Sequence, residues 1–309
     1  MDKSITLMYD QIKIGQTNFN FNQIGNLLRY SVFGNSSFNA FSRGDKTMTI
    51  LVCIKQVPGT NRVEVDEKTG VLKRDGVDSK MNPYDLYALE TALRLKEAHG
   101  GKVIVISMGP PQASQIIREA YAMGADEGIL LSDRRFGGAD VLATGYALAQ
   151  GILLAGNFDL ILCGRQTTDG DTAQVGPEIA ENLGIPSLSN VKRIVEAGPG
   201  FLITETDLGH SVQTAKVTLP CLVTVEKDIF QPRLPSYVRK TQTAQRPIRV
   251  LTLDDLTDND ESRYGLNGSP TQVRRIFPPE SGSARELWQG KPEELADRFT
   301  EKLKALKFL

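Results

Sequence analysis

The stretch Leu160–Gly184, LILCGRQTTDGDTAQVGPEIAENLG, changes character twice. It opens as an unbroken apolar run and passes through a polar, glycine-bearing loop. It then enters a helical pattern in which Val175, Ile179 and Leu183 share a face. An apolar run of strand length without polar alternation suits a strand covered on both faces, as in parallel sheets. The unit reads strand, loop, helix.

The same unit recurs upstream. TILVCIK (Thr49–Lys55), KVIVISMG (Lys102–Gly109) and EGILLS (Glu127–Ser132) are further apolar runs. NPYDLYALETALRLKEAHG (Asn82–Gly100) places Asn82 at an N-cap, Pro83 at the first helical position and Leu86, Leu89 and Leu93 on one face. PPQASQIIREAYAMG closes a second helix at Gly124, and ADVLATGYALAQGILLAG carries Leu142, Tyr146, Ala149 and Leu153 on one side. Strands alternating with helices predict an α/β fold, doubly wound around a mainly parallel sheet. VEVDEKTGVLK (Val63–Lys73) reads as a hairpin turning at Thr69-Gly70. Beyond Pro186, VKRIVEAGPGFLITETD reads as an antiparallel hairpin and LPCLVTVEK as one more strand, an antiparallel edge addition.

Three regions follow. Residues 1–47 are rich in Asn, Ser and Phe without a sustained period, and read as a disordered or non-native extension ahead of a natural start at Met48. Their Asp2, Asp10 and Asp45 are out of place in a mitochondrial presequence. Residues 48–255 read as one α/β domain. Residues 256–309 read as a linker and a C-terminal helical arm, whose Leu295, Phe299, Leu303 and Leu306 make an apolar stripe that one helix cannot bury alone.

Bulk properties narrow the partners. The 309 residues carry a formal net charge of −1, which gives no general attraction to nucleic acid or anionic lipid. No apolar run reaches the ~20 residues that a membrane span needs. Cys53, Cys163 and Cys221 are far apart and lack CxxC spacing, so neither zinc nor an iron–sulfur cluster is expected. Buried, reduced thiols of a cytoplasmic protein are.

Ligands of open α/β sheets sit beyond the carboxyl ends of the strands. Val57-Pro58, Asn82-Pro83, Ser107–Pro110 and Gly164–Gly176 would outline one crevice there. Gly170 gives its loop access to angles closed to other residues, and the following helix start offers a partly positive cradle for phosphate or diphosphate. Asp169 and Asp171 oppose an anion, unless Asp171 caps the helix and Asp169 turns away, with Arg165 offsetting the charge. On residues alone, a plain helix-capping loop remains open. No GxGxxG and no GxxxxGK[ST] is present. His99 and His210 read as surface or turn residues, and no nucleophile–base set occurs, so no catalytic residue is assigned.

Together these segments resemble the β subunit of electron transfer flavoproteins. VCIKQVP, KTGVLKRDGV, MNPYDLYALETALRLKE, SMGPPQA, AMGADEGILLSD and CGRQTTDGDTAQVGPEIAENLG stand in that family's order and spacing, from Met48 to Val250. The resemblance implies a heterodimer with an α subunit holding one FAD, and a second adenine nucleotide in this chain. In simple carriers that nucleotide is AMP. In the bifurcating branch it is FAD, which takes hydride from NADH. The electrons then divide between ferredoxin or flavodoxin and the α-subunit FAD, which feeds a dehydrogenase. DGDTAQVGP resembles the bifurcating type, because Gly170, Thr172 and Ala173 leave clearance for a flavin. TQVRRIFPPE with ELADRF resembles the arm that joins the α subunit there. A nucleotide hydrolase or adenylating enzyme of similar fold is the alternative from another class, but it would need a catalytic phosphate loop.

The nucleotide contacts implied by the resemblance are Cys53, Asn82, Pro83, Tyr84, Asp85, Met108, Gly109 and Arg165. The run Asp169, Gly170, Asp171, Thr172, Ala173, Gln174, Val175, Gly176 and Pro177 completes the set. Lys55 is either a neighbour of the site or a strand-end surface lysine. In QPRLPSYVRKTQTAQRP the family's docking loop is altered, with Leu234 in the usual tyrosine place and Tyr237 in the usual leucine place. That exchange opens a flavin dehydrogenase of 2-hydroxy acid type as partner, beside the usual acyl-CoA type.

Overall fold

Each of the buried apolar runs becomes a strand of one sheet. The computed structural model describes residues 47–59, 79–272 and 286–309. The extension before residue 47 and the hairpin expected at Val63–Lys73 lie outside the described residues. Strand β1 (Met48–Cys53) leads through the short antiparallel pair β2 (Gln56–Pro58) and β3 (Ser79–Met81) into helix α1 (Pro83–His99). Then follow β4 (Gly101–Met108), α2 (Ser114–Met123), β5 (Glu127–Leu131), α3 (Val141–Leu153), β6 (Leu160–Gly164) and α4 (Val175–Leu183). The remaining strands are β7 (Ser187–Gly198), β8 (Phe201–Asp207), β9 (Val212–Thr218), β10 (Cys221–Val225) and β11 (Arg249–Leu251). Short α5 (Tyr237–Gln242) precedes β11, and α6 (Pro292–Ala305) lies near the C-terminus.

The nine-stranded sheet has the order β11-β5-β4-β1-β6-β10-β7-β8-β9. It is parallel from β11 to β7, and β8 and β9 add antiparallel pairs at one edge. The chain steps outward from β1 to β4 and β5, then returns through α3 to β6 on the other side of β1. The strand order therefore reverses between β1 and β6. Alternate residues of β1 face opposite layers: Ile50 and Val52 pack with Leu89 and Ile117 of α1 and α2, whereas Leu51 and Cys53 pack with Ile152 and Ile179 of α3 and α4. This is the doubly wound arrangement expected from the alternation of strands and helices.

Several local expectations change. Strand β10 lies inside the parallel sheet, because every residue of CLVTV is buried. Short β11, strand β9 and helix α5 carry too little periodic pattern to be read in advance. In α3, Leu142 and Leu153 are exposed, whereas Tyr146 and Ala149 of the expected face are packed, together with Ala143, Ala147, Leu148 and Ile152. Small residues there let α3 approach α4, where a Cβ on Gly145 would stand 2.7 Å from that of Glu178.

The stretch expected to be a linker is instead packed as far as it is described, to residue 272. Tyr264 is 0% exposed. Its ring lies 5.7 Å from that of Phe136 and 5.4 Å from that of Tyr146, and its hydroxyl donates to the Asp258 carbonyl. Asp140 caps α3 by accepting from Ala143 N–H at 3.1 Å, and it also takes Thr271 N–H and Oγ1–H at 3.0 and 2.7 Å. Helix α6 leaves Phe299 and Leu306 of its apolar stripe exposed, with Leu295 and Leu303 half-buried. Arg298 stacks on Trp288 at 4.6 Å and Lys302 pairs with Glu286 at 2.5 Å, so residues 286–291 fold onto the helix itself. No helix among the described residues is long and apolar enough to cross a membrane.

Because Tyr264 fills a core position, Tyr264→Ala is expected to cost about 3 kcal/mol or more. Chemical denaturation at neutral pH measures this. A loss below ~0.5 kcal/mol, as for a surface position, would return the segment to linker status.

Candidate nucleotide-binding site

The strand order reverses between β1 and β6, and the carboxyl edge of the sheet at such a reversal is the usual ligand crevice of these folds. Its floor is made by register-paired Cys53 and Cys163. Both thiols are free and buried. Hydrogen bonding with the Cys53 thiol, together with burial, keeps Cys163 protonated far above the ordinary thiol range.

Asn82 joins three parts of the crevice. Its backbone N–H donates to the Lys55 carbonyl at 2.8 Å, and its own carbonyl accepts from Asp85 N–H at 3.0 Å. Its side chain makes no helix cap. Instead Nδ2 donates to the Gln166 carbonyl at 2.8 Å, and Oδ1 accepts from Thr168 N–H at 3.2 Å. Asn82 stands at the predicted N-cap position, but its side chain serves the loop after β6.

Asp85 is buried beneath this junction and accepts from Lys55 N–H at 2.7 Å. Burial pushes its carboxyl up to about 7, outweighing the hydrogen bonds from Asn82, Lys55 and Gly164 that favour the anion. Gly164 is required beside it, since a Cβ there would stand 2.5 Å from Asp85 Oδ1 and 2.6 Å from the Tyr84 carbonyl carbon. This close approach of β6 to the first turn of α1 was missed in the sequence. A glycine closing an apolar run was its only signal.

The loop from Thr168 to Gln174 is exposed throughout. Lys55 Nζ contacts both oxygens of Asp169 at 2.8 Å. Partial burial alone would raise the Asp169 carboxyl, but the Lys55 ammonium prevails and holds it below its ordinary value. Lys55 thus ties the end of β1 to this loop, and its ammonium offsets the Asp169 charge. Asp171 does not cap α4. Its carboxylate accepts from Gln166 Nε2, and the α4 cap position is held by Gln174 without a side-chain bond. Gly170 does not adopt the left-handed region either. Asp171 and Ala173 do, at φ 53° and 55°, placing unusual backbone on either side of Thr172.

The other expected contacts lie at the ends of strands and the starts of helices. Pro83 and Tyr84 begin α1, Met108 ends β4 with Gly109 just beyond it, and Val175, Gly176 and Pro177 form the first turn of α4. Gly176 brings that turn against β10, where a Cβ would lie 2.5 Å from Thr224 Cγ2. Arg165 donates from Nη1 to Glu226 at 2.6 Å. Its Nε, and the Ser107 hydroxyl at the end of β4, are buried with no partner among the described residues. Two orphaned polar atoms at one sheet edge and a helix start without a side-chain cap fit a polar, anionic ligand such as a nucleotide.

Leu234 and Tyr237 are not part of this crevice. They are 87% and 83% exposed on the segment leading into α5. That segment is tied to Glu97 near the end of α1 and to the last turn of α2, toward the opposite edge of the sheet.

A family model described as "Electron transfer flavoprotein domain" matches residues 69–256. The electron transfer flavoprotein subunit beta of Thermoanaerobacterium thermosaccharolyticum is 46% identical over 258 residues, covering 83% of this chain and 98% of that protein. The caffeyl-CoA reductase-Etf complex subunit CarD of Acetobacterium woodii is 46% identical over 260 residues, with the same coverage. Protein FixA of Azorhizobium caulinodans is 42% identical over 239 residues, covering 75% of this chain and 85% of that protein.

The Asp85 carboxyl gives a pH dependence of definite sign. Titrating near 7 in the fold and about 4 when unfolded, its neutral form supports the fold fully below about pH 4. That support is lost as pH rises through 7, with a limiting slope of about 1.4 kcal/mol per pH unit. Asp85→Asn stays neutral throughout. The thermal midpoint of the variant relative to wild type is expected to climb between pH 4 and 7 and then level off. A flat difference would contradict this account of Asp85.

Proposed function

The chain belongs to the electron transfer flavoprotein family as a β subunit, and from that premise we propose that it serves a bifurcating complex in the cytoplasm. In this reading the crevice holds FAD, which accepts hydride from NADH and passes electrons both to ferredoxin or flavodoxin and to the FAD of an α subunit serving a dehydrogenase.

The observation that carries the reading is the loop between β6 and α4. Its exposed run contains small Gly170, Thr172 and Ala173, with left-handed backbone at Asp171 and Ala173. It ends at a helix start without a side-chain cap. Room and unspent N–H groups are what a diphosphate with a bulky extension needs. This chain's residues bind and orient rather than react. Asn82 holds the loop against α1, Lys55 neutralises Asp169, and the Cys163 thiol stays protonated beneath the ligand.

The partner side of the proposal rests on Leu234 and Tyr237, exposed apolar anchors of the kind that dominate small interfaces. The likeness to a subunit of a caffeyl-CoA reductase complex supports a dehydrogenase acting on a CoA thioester. The Leu234 and Tyr237 exchange keeps a 2-hydroxy acid dehydrogenase as the second candidate. The C-terminal arm with α6, Phe299 and Leu306 exposed on it, is assigned to the α subunit.

The deciding experiment is to denature the purified αβ complex and identify the released nucleotides. About two FAD per heterodimer is the expected result. One FAD with one AMP would make this chain the scaffold of a simple carrier. Lys55→Met is expected to weaken retention of the crevice nucleotide by roughly fivefold, the upper range for a partly exposed ion pair. Equilibrium dialysis against the free nucleotide reads that change, and unaltered retention would remove Lys55 from the site.

A further inference from the structure

We propose that Arg233 is a positioning residue for partner docking, bridging Glu90 and Glu97 of α1 and so holding Leu234 and Tyr237 in the geometry that a partner dehydrogenase meets. The proposal rests on the docking role given above to Leu234 and Tyr237.

Glu90 and Glu97 are seven residues apart, two turns along one face of α1. Glu90 is 2% exposed, an uncommon place for a carboxylate, and one tolerated only with full compensation. Arg94 Nε supplies one bond at 2.8 Å, and Arg233 supplies the rest: Nε at 2.8 Å, backbone N–H at 3.1 Å and Nη2 at 3.2 Å. The far side of the same guanidinium reaches Glu97, with Nη1 at 2.5 Å and Nη2 at 3.1 Å. Only a planar fork with several donors spans two carboxylates in this way, and a lysine offers a single point charge.

Two further ties follow within six residues. Ser236 N–H donates to the Ala122 carbonyl at 2.9 Å, and Arg239 Nη1 donates to the Met123 carbonyl at 2.8 Å. Between these anchors stand Leu234 and Tyr237, with Val238 also exposed. A backbone fixed at three points beneath uncovered apolar side chains is pre-organised, which lowers the ordering cost of association. Glu97 contributes to that fixing from the surface, since its side chain is 57% exposed and no core depends on it.

The test uses the intact αβ complex in wild-type form and as Arg233→Gln, Arg233→Lys, Glu97→Gln and Leu234→Ala. Hydrogen–deuterium exchange over residues 231–243 is expected to quicken about tenfold or more in Arg233→Gln, with Arg233→Lys intermediate. Glu97→Gln, which leaves the buried pair intact, is expected to quicken it about threefold. With purified acyl-CoA and 2-hydroxy acid dehydrogenases as probes, the KM for the complex rises in parallel while kcat is retained.

Unchanged exchange in both Arg233→Gln and Glu97→Gln overturns the proposal. Faster exchange with no rise in KM also overturns it, provided that Leu234→Ala does raise KM. If Leu234→Ala leaves KM unchanged for both probes while Arg233→Gln still loosens the segment, the docking reading fails and the clamp stands.

Discussion

The fold of the crevice depends on one side chain that forgoes its local task. Asn82 stands where a helix cap belongs, yet both of its polar side-chain atoms reach across to the loop after β6. Local capping is worth about 1 kcal/mol, and the long-range bonds take its place while joining segments more than eighty residues apart. The strand ladder ties β1 to β6, and the Lys55 backbone ties β1 to the start of α1, but it is Asn82 that ties the start of α1 to the loop after β6. The Gly164 approach to Asp85 and Tyr84 makes the same junction close. Glycine is the residue that lets a strand end rest against a helix start.

The electrostatics of the site follow from that closeness. Three aspartates surround a place suited to an anion, which would repel phosphate if all were free and charged. Each is dealt with by a different physical means. Asp85 is buried deeply enough to favour its proton, Asp169 is neutralised by Lys55, and Asp171 is turned to the Gln166 amide. The mainly parallel sheet adds helix starts to this edge, so the positive contribution comes from backbone as much as from side chains.

Much of this was legible in the residues. The unbroken apolar runs determined the doubly wound sheet, and the glycine-bearing loop between LILC and the α4 pattern located the crevice. What failed to show was long-range. Whether Asn82 caps its own helix or another loop depends on atoms that sequence proximity does not bring together. The backbone strain falls on Asp171 and Ala173 rather than Gly170, against ordinary preference. The stretch around Tyr264 looked like a linker because its composition is polar, although one aromatic side chain among two others is enough to seat it. The α3 face is half legible, Tyr146 and Ala149 packing as expected while Gly145, which has no apolar side chain to mark it, sets the approach to α4.

Helix α1 has a consequence as a ruler. It begins at the crevice with Asp85 and carries Glu97 on its last turns, a rise of about 18 Å at 1.5 Å per residue. A dehydrogenase seated on Leu234 and Tyr237 would thus stand a helix length from anything bound above Cys53 and Cys163. The crevice and the exposed apolar segment are thus joined through one helix, so its stiffness fixes where each stands relative to the other.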